Sequence, residues 1–279
     1  MSLDLPEALV VALTAAQTGA DIVAQGYKDR DLTIRNKGLI DLVTQYDLGS
    51  ERAIRTAIGA AYPDHDILAE EEGLVSANQS RPRWYVDPLD GTTNYVHRHP
   101  FFAVSIALAL PNGRGFWEPV VGVIQAPVLR ERFFAIKGQG AFSQTFDNGE
   151  WSAPSPLLVS SHNQIIEALV NTGFPYDVHE RLKEIVSPFE RMLGQAQAIR
   201  RAGAASLDLA FVAAGRAEGY WEAGLKPWDV AAGVLIVAEA KGRVSDLLGQ
   251  EYVLEKSPIV LASNGFLHPI LVSILNGQP

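Results

Sequence analysis

The sequence predicts an α+β / α/β molecule in which a largely antiparallel first half packs against an α/β layer. Three observations carry that reading. Three β-like runs, Phe101 to Leu110, Val120 to Ala126 and Arg132 to Ile136, follow one another with no helix between them. Beyond residue 157 strands and helices alternate. Hydrophobic residues make up 47% and charged residues 20% of the 279, the balance of a chain that packs a core rather than staying disordered. That length suits one large domain or two closely joined ones. The seam is placed at 145–157, where Asp-Asn-Gly, Pro154 and Pro156 cluster, giving an N-terminal half of residues 1–150 and a C-terminal half of 151–279.

Residues 4 to 27 carry Leu5, Leu9, Ala12, Leu13, Ala16, Ala20 and Val23 at helical spacing, with Asp4 placed to cap and Pro6 in the first turn. They predict an amphipathic opening helix. Asp31 to Arg35 is a short extended piece and Lys37-Gly38 a turn. Ile40 to Thr44 leads into a second helix, Asp47 to Tyr62, whose acidic first turn suits the positive end of its dipole. Ile67 to Ala69 is a short apolar run ending in Glu70-Glu71-Glu72-Gly73, and Leu74 to Pro82 reads as a mobile surface loop. Trp84-Tyr85-Val86 then drives into Asp87-Pro88-Leu89-Asp90-Gly91-Thr92-Thr93. After the three β-like runs, Gly138-Gln139-Gly140 reads as a hairpin turn, because Ser143 stands where a nucleotide-binding loop needs its third glycine.

Leu157 to Ser161 and Ala168 to Gly173 read as strands, Glu180 to Ala198 and Ser206 to Ala217 as helices, and Gly219 to Glu222 as extended. Lys226-Pro227-Trp228-Asp229 opens a helix running to Glu239, with proline where helix starts favour it. Val244 to Asp246, Ile259 to Ala262 and a closing helix from Phe266 to Leu275 complete the chain.

A formal net charge of -9 argues against binding nucleic acid directly or sitting on an anionic membrane by bulk electrostatics. It also repels an anionic substrate unless a local cation reverses the field. With no cysteine, disulfides, thiolate zinc sites and cysteine nucleophiles are excluded. The first 26 residues contain Asp4, Glu7 and Asp21 and lack a basic leader region, so no signal peptide is expected. No apolar run reaches membrane-spanning length on this reading, and the chain is expected to be soluble and cytoplasmic.

Asp87 and Asp90 repel one another unless a cation or a proton lies between them. Asp-Pro and Asp-Gly are also ordinary turn dipeptides, so this run alone leaves a metal wall and a solvated turn both open. Glu70, Glu71 and Asp229 share the same placement, at the end of an apolar element or in the first turn of a helix. If those elements converge, the result is a patch of hard oxygen ligands without His or Cys, which favours Mg2+ or Mn2+ over Zn2+. An EF-hand is excluded, since Leu89 and Gly91 fall where its loop needs oxygens. Oxygen-only sites with two metals suit phosphate ester hydrolysis. Gly91-Thr92-Thr93 adds a backbone able to approach a phosphate closely.

These motifs together resemble the inositol monophosphatase family of Mg2+-dependent, lithium-sensitive phosphatases, from Asp41 to at least Asp246. They stand here as Asp41-Leu-Val-Thr-Gln-Tyr-Asp47, Glu70-Glu71, Asp87-Pro-Leu-Asp-Gly-Thr-Thr-Asn-Tyr-Val-His97 and Trp228-Asp-Val-Ala-Ala-Gly233. The resemblance implies a layered αβαβα sandwich of the inositol monophosphatase / fructose-1,6-bisphosphatase type, assembled as a homodimer. It implies two or three Mg2+ ions, with Mn2+ as a substitute, held by Glu70, Asp87, Asp90, Asp229 and the backbone carbonyl of Leu89. Thr92, paired to Asp47, would orient the attacking water with Glu70, which removes its proton. The amides of Gly91 and Thr92 would hold the phosphate, and Asp90, Ala205, Glu222 and Asp229 would contact the alcohol.

Lys37 is left without a role because its spacing from Asp41 departs from the family pattern. Lys226 reads as a solvated residue ahead of its helix, with substrate contact as the alternative. His97 and His99, on a β-like piece beside Pro100, read as structural. The function implied is hydrolysis of inositol-1-phosphate or another small polyol or sugar phosphate. Fructose-1,6-bisphosphate and histidinol phosphate are rival substrates, whereas Thr93-Asn94 counts against an adenosine bisphosphate. A scaffold role in a transcription complex is the alternative from outside the enzyme class.

Overall fold

The computed structural model describes residues 3–74 and 80–278. Most of the loop expected at Leu74 to Pro82 therefore lies outside the described residues. The chain opens with α1 (Leu5–Tyr27), capped by Asp4, whose side chain accepts the Glu7 N–H. A small hairpin, β1 (Ile34–Asn36) and β2 (Leu42–Thr44), leads into α2 (Gln45–Ala61). This helix begins two residues before the expected start, because Thr44 and Asp47 form a reciprocal capping box.

Then come β3 (Asp66–Ala69), β4 (Gly73–Leu74), β5 (Arg83–Asp90), the short α3 (Thr92–Val96), and the long strands β6 (Ala103–Pro111), β7 (Trp117–Ala126) and β8 (Glu131–Ile136). The three expected β-like runs are thus three neighbouring antiparallel strands. The Gly138-Gln139-Gly140 stretch turns the last of them into β9 (Ala141–Asp147), as read. Its Gly138 and Gly140 amides donate to Glu239 of this same chain at 2.7 and 2.8 Å. Residues 145–157, read as a seam, carry β10 (Glu150–Trp151) and β11 (Ser155–Pro156), both paired to β9 at the edge of this sheet. The strand expected at Leu157 to Ser161 does not form. Leu157 and Val159 instead each donate one backbone bond, to Ala141 and to Ala240 respectively.

The second half supplies β12 (Leu169–Thr172), α4 (Leu182–Leu193), β13 (Ala198–Arg200), α5 (Ala205–Ala213), β14 (Gly219–Ala223), α6 (Pro227–Glu239), β15 (Arg243–Ser245), β16 (Ile259–Ser263) and α7 (His268–Asn276). Two expected helices are shorter than read. Gly194 caps α4, freeing residues 198–200 to join the sheet, and α5 stops ahead of Gly215, which takes a positive φ.

The large sheet runs β10-β9-β8-β7-β6-β5-β3-β4 and is antiparallel apart from the β3/β5 pair. The second runs β13-β12-β14-β16-β15 and mixes parallel with antiparallel pairs. Helices α1 and α2 cover one face of the large sheet, burying Trp84, Val86, Ile106 and Leu108 among Ala8, Ala12, Ala16, Ile54 and Ile58. Tyr85, Ile124 and Phe133 point to the opposite face, into α5 and α6, which also meet the second sheet through Tyr220, Val260 and Ala262. On the far side, α4 and α7 place Met192, Leu267 and Leu271 over Val170, Trp221 and Leu261. The order is αβαβα, as the sequence implied.

Both faces of β5 are covered, which is why it reads as one continuous apolar run rather than an alternating strand. Helix α1, contrary to the reading that no segment is long enough, could cross a membrane by length and composition alone. Here its alanines pack against α2 and the sheet.

Candidate active site

The parallel pairing of β3 and β5 matches Ala69 with Val86, so Glu70 and Asp87 leave the sheet side by side at the same edge. A shift in the β5/β6 register between Asp87 and Asp90 bulges the strand end. Such bulges commonly re-aim side chains beside active sites. The chain then turns at Gly91, whose φ of 90° places it in the left-handed region, and where an added Cβ would lie 3.0 Å from the Phe101 carbonyl oxygen. Glycine is required there by both conformation and space. Asn94 Nδ2 donates to the carbonyls of Phe101 and Ala202 at 2.7 and 2.8 Å, tying this turn to the segment ahead of α5.

A cavity of about 280 Å³ opens at this edge, lined by Glu70, Asp87, Leu89, Asp90, Gly91, Thr92, Ala205, Glu222 and Asp229 together with Lys37, Lys226, Arg201 and Trp228. Every residue assigned a role from the sequence is thus at one site, except Asp47. Asp47 lies behind the wall, fully buried on α2, and accepts a hydrogen bond from Thr92 Oγ1 at 3.0 Å. Its other oxygen accepts the N–H and hydroxyl of Thr44. Burial pushes the Asp47 carboxyl up to about 6 despite these donors. The Leu89 carbonyl, assigned as a metal ligand, lies 3.0 Å from Thr92 Oγ1.

Each carboxylate around the cavity is engaged by a local donor. Asp87 accepts the Leu89 N–H at 3.0 Å, Asp229 in the first turn of α6 accepts the Lys226 N–H at 2.7 Å, and Asp90 accepts the Ser206 N–H and hydroxyl and the Ala205 N–H. Burial, followed by repulsion from Glu70 and Asp90, drives Asp87 and Asp229 well above the usual carboxylate range. Burial holds Asp90 up at about 6 and raises Glu70, which Lys37 partly offsets.

Among the described residues no three acidic or histidine groups are drawn together as a ready-made metal cage. The donor set nevertheless fits a hard cation. It consists of carboxylate and carbonyl oxygens whose mutual repulsion a divalent ion would relieve, and it contains no nitrogen or sulfur ligand.

Three contributors escaped the sequence reading. Lys37 Nζ lies 2.6 Å from Glu70 Oε1 and 2.9 Å from Glu71 Oε1, so the lysine left without a role is the cation nearest the site's acids. Burial pulls its ammonium down, but Glu70 and Glu71 together hold it above its ordinary value. Glu51 on α2 holds the turn that carries Glu70, through the amides of Glu71 and Glu72. Asn94, noted only as part of a motif, is the third. The periodicity that marks α2 gives no sign of Glu51's role, since its partners are backbone amides some twenty residues away. His97 and His99 are exposed in the turn after α3, not on a β-like piece, and neither lines the cavity. Lys226 is exposed and precedes α6, as read, while also reaching the cavity rim.

A model of the inositol monophosphatase family matches residues 4–278. The chain is 40% identical over 271 residues to the Nus factor SuhB of Pseudomonas aeruginosa, covering 95% of each chain. It is 35% identical over 264 residues to the inositol-1-monophosphatase of Caulobacter vibrioides, covering 94% of this chain and 98% of that one. The solved inositol monophosphatase of Anabaena superposes with a TM-score of 0.85 at 35% identity, over 99% of this chain and 98% of that one.

Proposed function

The chain belongs to the inositol monophosphatase family, and on that premise we propose that it is a Mg2+-dependent phosphomonoesterase acting on inositol-1-phosphate or a related small polyol or sugar phosphate. The observation that carries this reading is the meeting of Glu70, Asp87, Asp90 and Asp229 around one cavity beside the hydrogen-bonded Thr92–Asp47 pair. Glu70, Asp87, Asp90, Asp229 and the Leu89 carbonyl would hold two or three Mg2+ ions, or Mn2+ in their place. Bound magnesium would supply the positive charge that offsets the phosphate and makes water easier to deprotonate.

The rest falls to the protein. With its hydroxyl hydrogen donated to Asp47, Thr92 Oγ1 presents lone pairs that fix the orientation of a water. Glu70, which lines the same cavity, would take that water's proton. Gly91 and Thr92 open α3, whose first N–H groups have no partner within the helix and suit the phosphate oxygens. Glu222, Asp229, Asp90 and the start of α5 at Ala205 face the alcohol. We place the protein in the cytoplasm as a homodimer, with no direct contact to nucleic acid or membrane.

The test is phosphate release from inositol-1-phosphate, fructose-1,6-bisphosphate and histidinol phosphate with Mg2+, repeated with Li+. Preference for the first substrate and inhibition by Li+ support the reading. Absence of release from the whole panel, or an unchanged rate in Asp87→Asn, removes it.

The relatives named Nus factor favour a second reading, a partner role in a transcription complex. Recovery of RNA polymerase on the immobilised protein would support it, and recovery of none would dismiss it.

A further inference from the structure

Strand β14 alternates its side chains so that Tyr220 and Glu222 share one face, and the Tyr220 hydroxyl donates to Glu222 Oε2 at 2.6 Å. Tyr220 is fully buried, so this donor has no competing water. The parallel register pairs Thr172 of β12 with Trp221, which brings the next residue, Gly173, alongside Glu222. There the Glu222 carboxyl lies on the bare glycine backbone. A Cβ built at residue 173 would fall 1.8 Å from Glu222 Oε2, 2.0 Å from its Cδ and 2.2 Å from Oε1. No side chain larger than hydrogen leaves room for the carboxylate where it stands. One oxygen is thus held by tyrosine and the group is seated against glycine, while the residue itself lines the cavity.

We propose that Gly173 and Tyr220 are specificity-determining positioning residues that fix the Glu222 carboxylate as acceptor for a hydroxyl of the leaving alcohol. The site thereby selects phosphates of polyhydroxylated alcohols over phosphates whose leaving group carries no further hydroxyl. The inference rests on the phosphomonoesterase reading and deepens it. A site built to hydrogen-bond a substrate hydroxyl discriminates strongly only while its polar group is held in place, because a displaced acceptor returns to other partners.

The experiment compares kcat and KM for inositol-1-phosphate and phenyl phosphate, both with Mg2+, in wild type, Tyr220→Phe and Gly173→Ala. Tyr62→Phe serves as a matched control, since among the described residues the Tyr62 hydroxyl has no hydrogen-bond partner, and it lies outside the cavity lining. The ratio of kcat/KM for inositol-1-phosphate over phenyl phosphate is expected to fall about tenfold in Tyr220→Phe, chiefly through KM, and further in Gly173→Ala. Tyr62→Phe is expected to keep the wild-type ratio. Tyr220→Phe removes one oxygen without changing the ring, so it keeps the test decisive if Gly173→Ala does not fold. A wild-type ratio retained in Tyr220→Phe overturns the inference alone. Wild-type protein that releases phosphate from neither substrate overturns the phosphomonoesterase reading, and this inference with it.

Discussion

The Glu51 carboxylate accepts the backbone N–H of Glu71 at 2.8 Å, and its second oxygen accepts that of Glu72 at 2.9 Å. Arg55, one helical turn on, pairs with Glu51 at 2.9 Å and donates to the Gly73 carbonyl at 2.6 Å. The helix that carries Asp47 therefore also fixes the turn that carries Glu70. Glu51→Ala takes away the nearest carboxylate of Arg55 and leaves two amides unpaired in a buried place, so a stability loss of about 3 kcal/mol is expected in urea unfolding. The concentration of Mg2+ giving half-maximal phosphate release should rise in the same variant. A stability loss without that rise would mean that the turn needs no anchoring for its chemistry.

Thr92 and Asp47 are expected to act as a unit. Thr92→Ala removes the group proposed to orient water, and Asp47→Asn keeps one acceptor oxygen, which the Thr44 N–H claims, so that a donor NH2 replaces the acceptor facing Thr92. Each should lower kcat by about 10²-fold or more, the scale of positioned acid–base assistance. The double variant should be little worse than either single one, since both break the same link. Multiplying losses would show that the two residues work independently.

The acids facing the cavity set stability against one another. Asp87 is repelled by Glu70, Asp90 and Asp229. In chelator, Asp87→Asn should unfold at a higher temperature than wild type, because one like charge is gone. Magnesium should reverse the order. A ligand at one hundred times its dissociation constant stabilises by about 2.7 kcal/mol, and only the wild type should gain that. Calorimetry with and without Mg2+ reads both effects, and parallel curves would deny that Asp87 is a ligand.

His268 gives a pH dependence away from the site. It is fully buried between the hydroxyls of Ser245 and Ser263, each 2.8 Å from a ring nitrogen. Burial, with Arg243 adding repulsion, lowers its pKa to about 4 from an ordinary 6.5. The unfolded chain binds this proton first, so stability falls as pH drops from the ordinary value through the folded one. The loss is of the order of 3 kcal/mol between pH 7 and pH 4. His268→Gln cannot take up that proton, so the gap in unfolding free energy between wild type and variant should narrow over that range. A constant gap would mean that His268 does not titrate.

What the sequence disclosed and what it hid divide by the distance over which information travels along the chain. The ends of β3 and β5 and the start of α6 announced themselves, because a carboxylate closing an apolar run is visible within a few residues. The helix caps at Asp4 and Thr44 are local too, although in α2 the acidic Asp47, its third residue, marks the start more visibly in the sequence than the Thr44 cap does. β9 shows no apolar alternation in the sequence, since Ser143, Gln144, Thr145 and Asp147 separate its few apolar residues. Lys37, Glu51 and Gly173 were beyond reach for a different reason. Each acts on a group 33, 20 or 49 residues away, through contacts that exist only once the layers are stacked.

The middle layer bears on how the molecule can move. Val230, Ala231, Ala232, Val234, Ile236 and Val237 of α6 are buried on all sides, because one side of the helix meets the large sheet and the other the second sheet. Asp229 rides on this helix, Asp87 on the first sheet and Glu222 on the second. Their spacing is set by a shared core and not by a hinge. A substrate therefore meets a frame that does not clamp shut around it. Whatever adjustment it provokes has to come from the outer lining, to which Lys37, Asp41, Phe174, Pro175 and Tyr176 belong.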